Sequence, residues 1–186
     1  MKRFFPVFLL AALLLLLCTT TVAQTSKSVS SLGVKLQAYP AGLIPTVSYT
    51  KSVSPNNTLT FYAAYNATDR QDFGEHDNEE GGGAGFGASW RYYFGQRHNG
   101  FHLGARVDLW FLEIDWLDES PVRAGVTEIT VLQPTAQVGY TKLFSNDRIA
   151  ARAVVALGAE INIETKGEAV GEGAILLFGL GASYRF

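Results

Sequence analysis

The mature part of this chain has no thiol. The one cysteine of the 186-residue sequence is Cys18, which falls inside an N-terminal leader, so disulfides, thiolate metal sites and a cysteine nucleophile are all excluded downstream. A basic surplus is also missing. Fifteen Lys and Arg stand against seventeen Asp and Glu, for a net charge of −2. With no basic run to follow a phosphate backbone, nucleic acid is not an expected partner. After Cys18 no apolar run approaches the roughly 20 residues of a membrane helix. If the chain enters a membrane, it must do so as a closed barrel, whose strands satisfy every backbone polar group among themselves.

The leader is the first thing present. Lys2 and Arg3 precede an apolar stretch from Val7 to Cys18, followed by the polar run Thr19-Thr20-Thr21. This is the layout of a secretory signal peptide, too short for a permanent anchor. Thr21-Val22-Ala23 offers small residues at the two positions a signal peptidase reads, which places cleavage after Ala23. Leu17 is not the small residue that lipidation of Cys18 would require before it. The expected organisation is a signal peptide over 1–23 and one β-barrel domain over 24–186.

Beyond the leader, apolar residues alternate with polar or small ones in eight segments, separated by clusters rich in Gly, Asn, Asp, Ser and Glu. Alternation is the strand period. In the last segment Leu176, Phe178, Leu180, Ala182, Tyr184 and Phe186 form one face, and Leu177, Gly179, Gly181, Ser183 and Arg185 the other. The seventh (Ala151 to Glu164), fifth (Phe101 to Phe111) and fourth (Ala84 to Phe94) repeat that design. The remaining four run from Leu32 to Ala38, Leu43 to Tyr49, Leu59 to Ala67 and Leu132 to Tyr140. Pro45 and Pro134 each remove a ladder donor, which predicts a bulge or an early strand position. Tight polar turns are expected at 54–58, 95–100 and 145–148, and longer connections at 68–83, 117–127 and 165–173. Short turns at one end and long loops at the other is the outer-membrane arrangement, with both termini periplasmic.

Alternation does not say which face looks outward, so a soluble ligand-binding barrel and a narrow channel for small or hydrophobic solutes stand as alternatives. Three features favour an outward apolar face. The polar faces carry Lys35, Arg91, His102, Arg106, Asp108, Arg152, Glu160 and Arg185, and an eight-stranded interior is only wide enough to be filled by side chains. Lys35, Arg91, Arg106, Asp108, Arg152, Glu160 and Arg185 are therefore expected to form a lumen-facing charge network that keeps the barrel closed. Aromatics collect near strand ends, as girdles do at bilayer interfaces. Tyr49, Phe61, Phe94, Phe101, Tyr140, Tyr184 and Phe186 lie toward one end, and Tyr65, Phe86, Phe111 and Trp116 toward the other. Finally, the sequence stops inside its last strand, at Tyr184-Arg185-Phe186.

On these residues the chain resembles the small eight-stranded bacterial outer-membrane proteins typified by OmpX and the barrel domain of OmpA, over roughly 30–186. The resemblance implies an all-β, antiparallel up-and-down transmembrane barrel in the outer membrane. It also implies that Phe178, Leu180, Ala182, Tyr184 and Phe186 form the C-terminal signal read by the barrel-assembly machinery. The other expected partners are outer-membrane lipid and lipopolysaccharide, together with an undefined surface partner of the loops.

Catalysis is not expected. Lipid-processing barrels need a nucleophile, a histidine and an orienting acid. The three histidines are His76, His98 and His102. None has a serine two places along its strand, since His102 is followed there by Gly104, and all three read as surface or rim residues. The 69–80 segment holds Asp69, Asp72, Glu75, Asp77, Glu79 and Glu80 around a single Arg70. It lacks the spacing of a calcium loop and reads as a solvated, mobile acidic loop. Gly81-Gly82-Gly83 lacks the Lys-Ser or Lys-Thr pair of a phosphate loop. No cofactor and no metal are expected.

Overall fold

The computed structural model describes residues 28–71 and 74–186. The leader at 1–23 and Asp72 lie outside the described residues. Eight strands follow in chain order: β1 (Ser30–Tyr39), β2 (Gly42–Ser52), β3 (Asn57–Gln71), β4 (Asn78–Tyr93), β5 (Gly100–Glu119), β6 (Val122–Phe144), β7 (Ile149–Lys166) and β8 (Gly173–Arg185). Each pairs antiparallel with its sequence neighbour, and β1 pairs with β8 to close the barrel. Closure leaves no edge with unpaired backbone groups. The closing seam sets Leu32, Val34, Leu36 and Ala38 against Tyr184, Ala182, Leu180 and Phe178. The alternating ending of the chain thus meets an equally alternating beginning, and both present their apolar residues outward.

The apolar faces look out. Leu180 is 70%, Phe101 64% and Val34 61% exposed, whereas the facing parity of each strand is buried. This corrects the soluble-barrel alternative, in which those residues would line a cavity. All seven aromatics expected at the turn end of the barrel are exposed there. Of the four expected at the other end, Tyr65, Phe86 and Phe111 are exposed, but Trp116 is 7% exposed and points inward. Its even number on β5 puts it on the same face as Trp110, Leu112 and Ile114. Parity, not proximity to a strand end, decides where an aromatic points.

The turns between β2 and β3, β4 and β5, and β6 and β7 are short, as read from the sequence; the second contains one 3₁₀ turn at Gln96–His98. The opposite end differs from expectation. Residues 117–127 are not a loop: β5 and β6 run on as 20- and 23-residue strands and meet at a two-residue turn at Ser120 and Pro121. Likewise β3 extends through Asp69, Arg70 and Gln71, and β4 begins at Asn78, so Gly81, Gly82 and Gly83 are strand residues. A membrane-spanning strand needs about 9–11 residues. About half of β5 and β6 therefore projects past the apolar belt, where the outward face mixes Glu113, Asp115 and Glu128 with Leu117, Val122 and Val126, all exposed.

Pro45 lies fourth in β2, while Pro134 lies deep within β6. Around each, the ladder to the next strand skips a pair of residues without changing register. The one register shift in the β6–β7 ladder falls at Thr130/Val131 instead. A missing N–H opens a ladder without requiring an extra residue.

Candidate functional site

The lumen is the candidate site, because every inward position of eight strands converges on it. It is filled in layers. At the turn end, Arg185 donates to the carbonyls of Asp147 at 3.1 Å and Arg97 at 3.1 Å. His98 meets the Ser54 carbonyl at 2.9 Å, and burial pushes its imidazole below the ordinary histidine value, with Arg185 and Arg91 adding to the shift. Next comes His102, fully buried, its ring 4.9 Å from that of Tyr93 and both nitrogens without a hydrogen-bond partner among the described residues. No serine or carboxylate among those residues reaches it, so the requirements of a nucleophilic triad are not assembled there.

The middle layer holds most of the charges expected from the sequence. Arg106 pairs with Asp108 through Nε–Oδ2 at 2.6 Å and Nη2–Oδ1 at 2.8 Å, and also donates to Gln37. The Tyr62 hydroxyl donates to Asp108 Oδ1 at 2.7 Å. Arg91 donates to the hydroxyls of Thr50, Thr58 and Thr60, and Arg152 to that of Thr141. Lys35 Nζ stands 5.2 Å from the centre of the Tyr62 ring.

Above this layer the interior turns apolar. Ile44, Trp110, Ile114 and Leu177 are fully buried and pack with Tyr39, Leu112, Trp116, Ile129, Val131 and Ile175. The polar ends of the aromatics are satisfied: Trp110 Nε1 donates to Gln133 at 2.6 Å, and the Tyr39 hydroxyl donates to Asn66 at 2.7 Å. An Nε1–H or O–H left without an acceptor here would cost about 1–3 kcal/mol.

The loop end is latched. Residues 167–172 fold over the barrel mouth and insert Val170, 2% exposed, into the apolar layer. The fully buried Glu79 carboxylate accepts the Gly171 N–H at 3.0 Å and the Glu75 N–H at 2.8 Å. Arg70 joins Glu79 at 3.2 Å, Glu160 at 2.8 Å and the Gly171 carbonyl at 2.7 Å. His76 stacks on Trp116 with ring centroids 4.1 Å apart and bridges Asp118 at 2.9 Å and the Ala169 carbonyl at 3.0 Å. The hydrogen bond from His76, joined by one from Arg123, holds the Asp118 carboxyl below the usual carboxylate range.

Several expectations change here. The seven lumen charges do not make one network. Arg106 and Asp108 pair; Glu160 belongs with Arg70 and Glu79 at the loop end; Arg185 serves turn carbonyls; Lys35, Arg91 and Arg152 meet no carboxylate among the described residues. The 69–80 segment is not simply a solvated loop, since Arg70, His76 and Glu79 are buried in it. His76 is accordingly not a surface residue. The signal for Arg70 was its parity: it continues the inward series Tyr62, Ala64, Asn66 and Thr68. Among the described residues, no group of three or more His, Cys, Asp or Glu side chains is placed to hold a metal ion.

No family profile matches the sequence, and no curated protein does. Solved structures do match. A major outer membrane protein from Thermus thermophilus superposes with a TM-score of 0.59 at 12% identity, over 87% of this chain and all of that one. Ail, the attachment invasion locus protein of Yersinia pestis, gives 0.51 at 11% identity, over 86% of this chain and 97% of that one. Neisserial surface protein A gives 0.50 at 14% identity, over 86% and 96%. What is shared at such low identity is the fold, and by fold this chain is an eight-stranded, antiparallel up-and-down β-barrel of the kind found in outer-membrane proteins.

Proposed function

We propose that the protein is a non-enzymatic outer-membrane barrel with a closed lumen, acting at the surface through the projecting part of β3 to β6 and the loops between them. In this reading the termini and short turns are periplasmic, and residues 1–23 are the cleaved signal that delivers the chain. The belt lies in lipid and lipopolysaccharide, and the C-terminal residues Phe178 to Phe186 are read by the barrel-assembly machinery. The observation that carries the closed state is the apolar layer around Trp110 and Leu177, capped by Val170 and latched through Glu79 and Arg70. A solute path would have to break a layer packed from Ile44, Trp110, Ile114 and Leu177. The strand-built projection supports a contact role, since its outward face presents the carboxylates of Glu113, Asp115 and Glu128 beside the exposed apolar side chains of Leu117, Val122 and Val126. Attachment, named for Ail, is one form such contact takes.

Two measurements test this. Cells expressing the full chain are fractionated, and the membrane fraction is run on gels with and without boiling; the expected result is an outer-membrane band with a heat-modifiable shift. The purified barrel is then placed in a planar bilayer, where no steady unitary conductance is expected. A soluble periplasmic product defeats the location, and stable ohmic openings defeat the closed lumen.

A further inference from the structure

The middle of the lumen contains more positive charge than its own acid balances. Lys35, Arg91 and Arg152 line one cavity there, from β1, β4 and β7. The nearby acid, Asp108, is already committed to Arg106 and Tyr62. Among the described residues, Arg91 donates to threonine hydroxyls, Arg152 to Thr141 beside the Tyr93 hydroxyl, and Lys35 faces the Tyr62 ring; none of the three meets a carboxylate. Burying one ion without a counter-charge costs several kcal/mol even after relaxation. Arg91 is 4% exposed, so solvent offers it little relief.

The cavity has a volume of about 30 Å³ and is also lined by Thr60, Ser89 and Gln137. Gln137 is 9% exposed, and its Nε2 is buried without a hydrogen-bond partner. The walls therefore present guanidinium, ammonium, amide N–H and hydroxyl donors around one small space, with an unused donor among them. Such a space needs an acceptor, and the surrounding charge makes a negative one preferable to a neutral one. A water needs ~10–15 Å³, so the space admits two or three waters or one small ion and rejects a phosphate ester or a nucleotide.

We infer that this cavity is an anion site that holds a small inorganic anion of chloride size as a fixed counter-ion between Arg91, Arg152 and Lys35. The anion is a structural ligand of the lumen, seated beneath the apolar layer. The inference concerns the folded barrel alone, and does not depend on which membrane or compartment holds it.

The test uses the mature barrel with its natural sequence, crystallised from a bromide salt. An anomalous peak within hydrogen-bond reach of the Arg91 and Arg152 guanidinium groups is expected. Bromide found only at exposed residues, with water in the cavity, overturns the site. In detergent solution, the thermal midpoint is followed in sodium chloride and in sodium gluconate at equal ionic strength. Chloride is expected to raise the midpoint to a plateau, gluconate is not, and Arg152→Gln is expected to lose the chloride-dependent rise. An equal rise in both salts, or an undiminished chloride response in Arg152→Gln, overturns the site. If that variant fails to fold, the bromide map still decides.

Discussion

Asp108 sits two residues after Arg106 on β5, and its two carboxylate oxygens take Arg106 Nε and Nη2 at 2.6 and 2.8 Å inside the barrel. The spacing of two puts both side chains on the lumen face, where Arg106 is 2% and Asp108 0% exposed. Removing one partner strands the other. Asp108→Asn is expected to cost about 3–5 kcal/mol, whereas Arg106→Met combined with Asp108→Leu should cost much less. Urea titrations of the folded barrel, read by tryptophan fluorescence, check both; an Asp108→Asn midpoint equal to that of the parent would show the pair to be idle.

The latch at the loop end depends on Glu79, whose carboxylate ties Gly171, Glu75 and Arg70 together. Hydrogen bonds to a charged group are worth about 1.5–3 kcal/mol each. Glu79→Ala should therefore free residues 167–172 while leaving the barrel closed in its lower half. Amide exchange is the readout: protection at Gly171 should fall by about two orders of magnitude, consistent with local opening. Unchanged exchange at Gly171 would show that Val170 packing alone holds the loop.

Three tryptophans report on the two faces. Trp90 is 46% exposed on the outer surface, Trp110 is fully buried and Trp116 is 7% exposed in the lumen. In vesicles containing lipids brominated on their acyl chains, a variant keeping only Trp90 should be strongly quenched. A variant keeping only Trp110 should be nearly unaffected. The reverse pattern would invert the faces.

Stability should fall with acid through His98. Burial lowers its folded value below the ordinary 6.5, so between the two values the unfolded chain binds the extra proton and folding is opposed. The His98 contribution is complete above pH 6.5 and is lost as pH falls toward its lowered folded value. Unfolding midpoints taken at about pH 7.5 and about pH 5, on either side of the ordinary histidine value, should fall more in the parent than in His98→Gln. Equal slopes in the two proteins would remove His98 from the account.

Gly85 lies opposite Trp110 in the β4–β5 ladder, and an added Cβ would run into the indole ring. Gly85→Val must displace a fully buried tryptophan, and overpacking costs about 1–3 kcal/mol or more. The expected result is a lower folded fraction on unboiled gels, with Gly85→Ala less affected than Gly85→Val. Full folding of Gly85→Val would mean that the apolar layer yields easily.

The strand count, the faces and the antiparallel order were legible because side-chain alternation is a local property of extended chain, readable from neighbours in sequence. Parity extends to Arg70, expected in a long connection, and to Trp116, expected in the outer aromatic girdle: both continue the inward series of β3 and β5. The strand ends differ from the sequence expectation because the loop-end segments are rich in charges and glycine, as at Asp69, Glu80 to Gly83, Asp115 and Glu128, while their inward face mixes Ile114 and Trp116 with Arg70 and Glu79. Which inward charges meet was not readable in this way. Arg70 and Glu160 are 90 residues apart in sequence, and Glu79 and Gly171 are 92 apart, so their contacts arise when different strands and a returning loop meet in the lumen. Sequence alone determined that this chain makes an eight-stranded barrel with its apolar residues on one face of every strand. Only tertiary structure decided that an apolar layer packs across the lumen beneath the Glu79 and Arg70 contacts, and that three cations below it meet no carboxylate among the described residues. Closure of the barrel brings residues from non-adjacent strands across the lumen, and no local periodicity encodes those meetings.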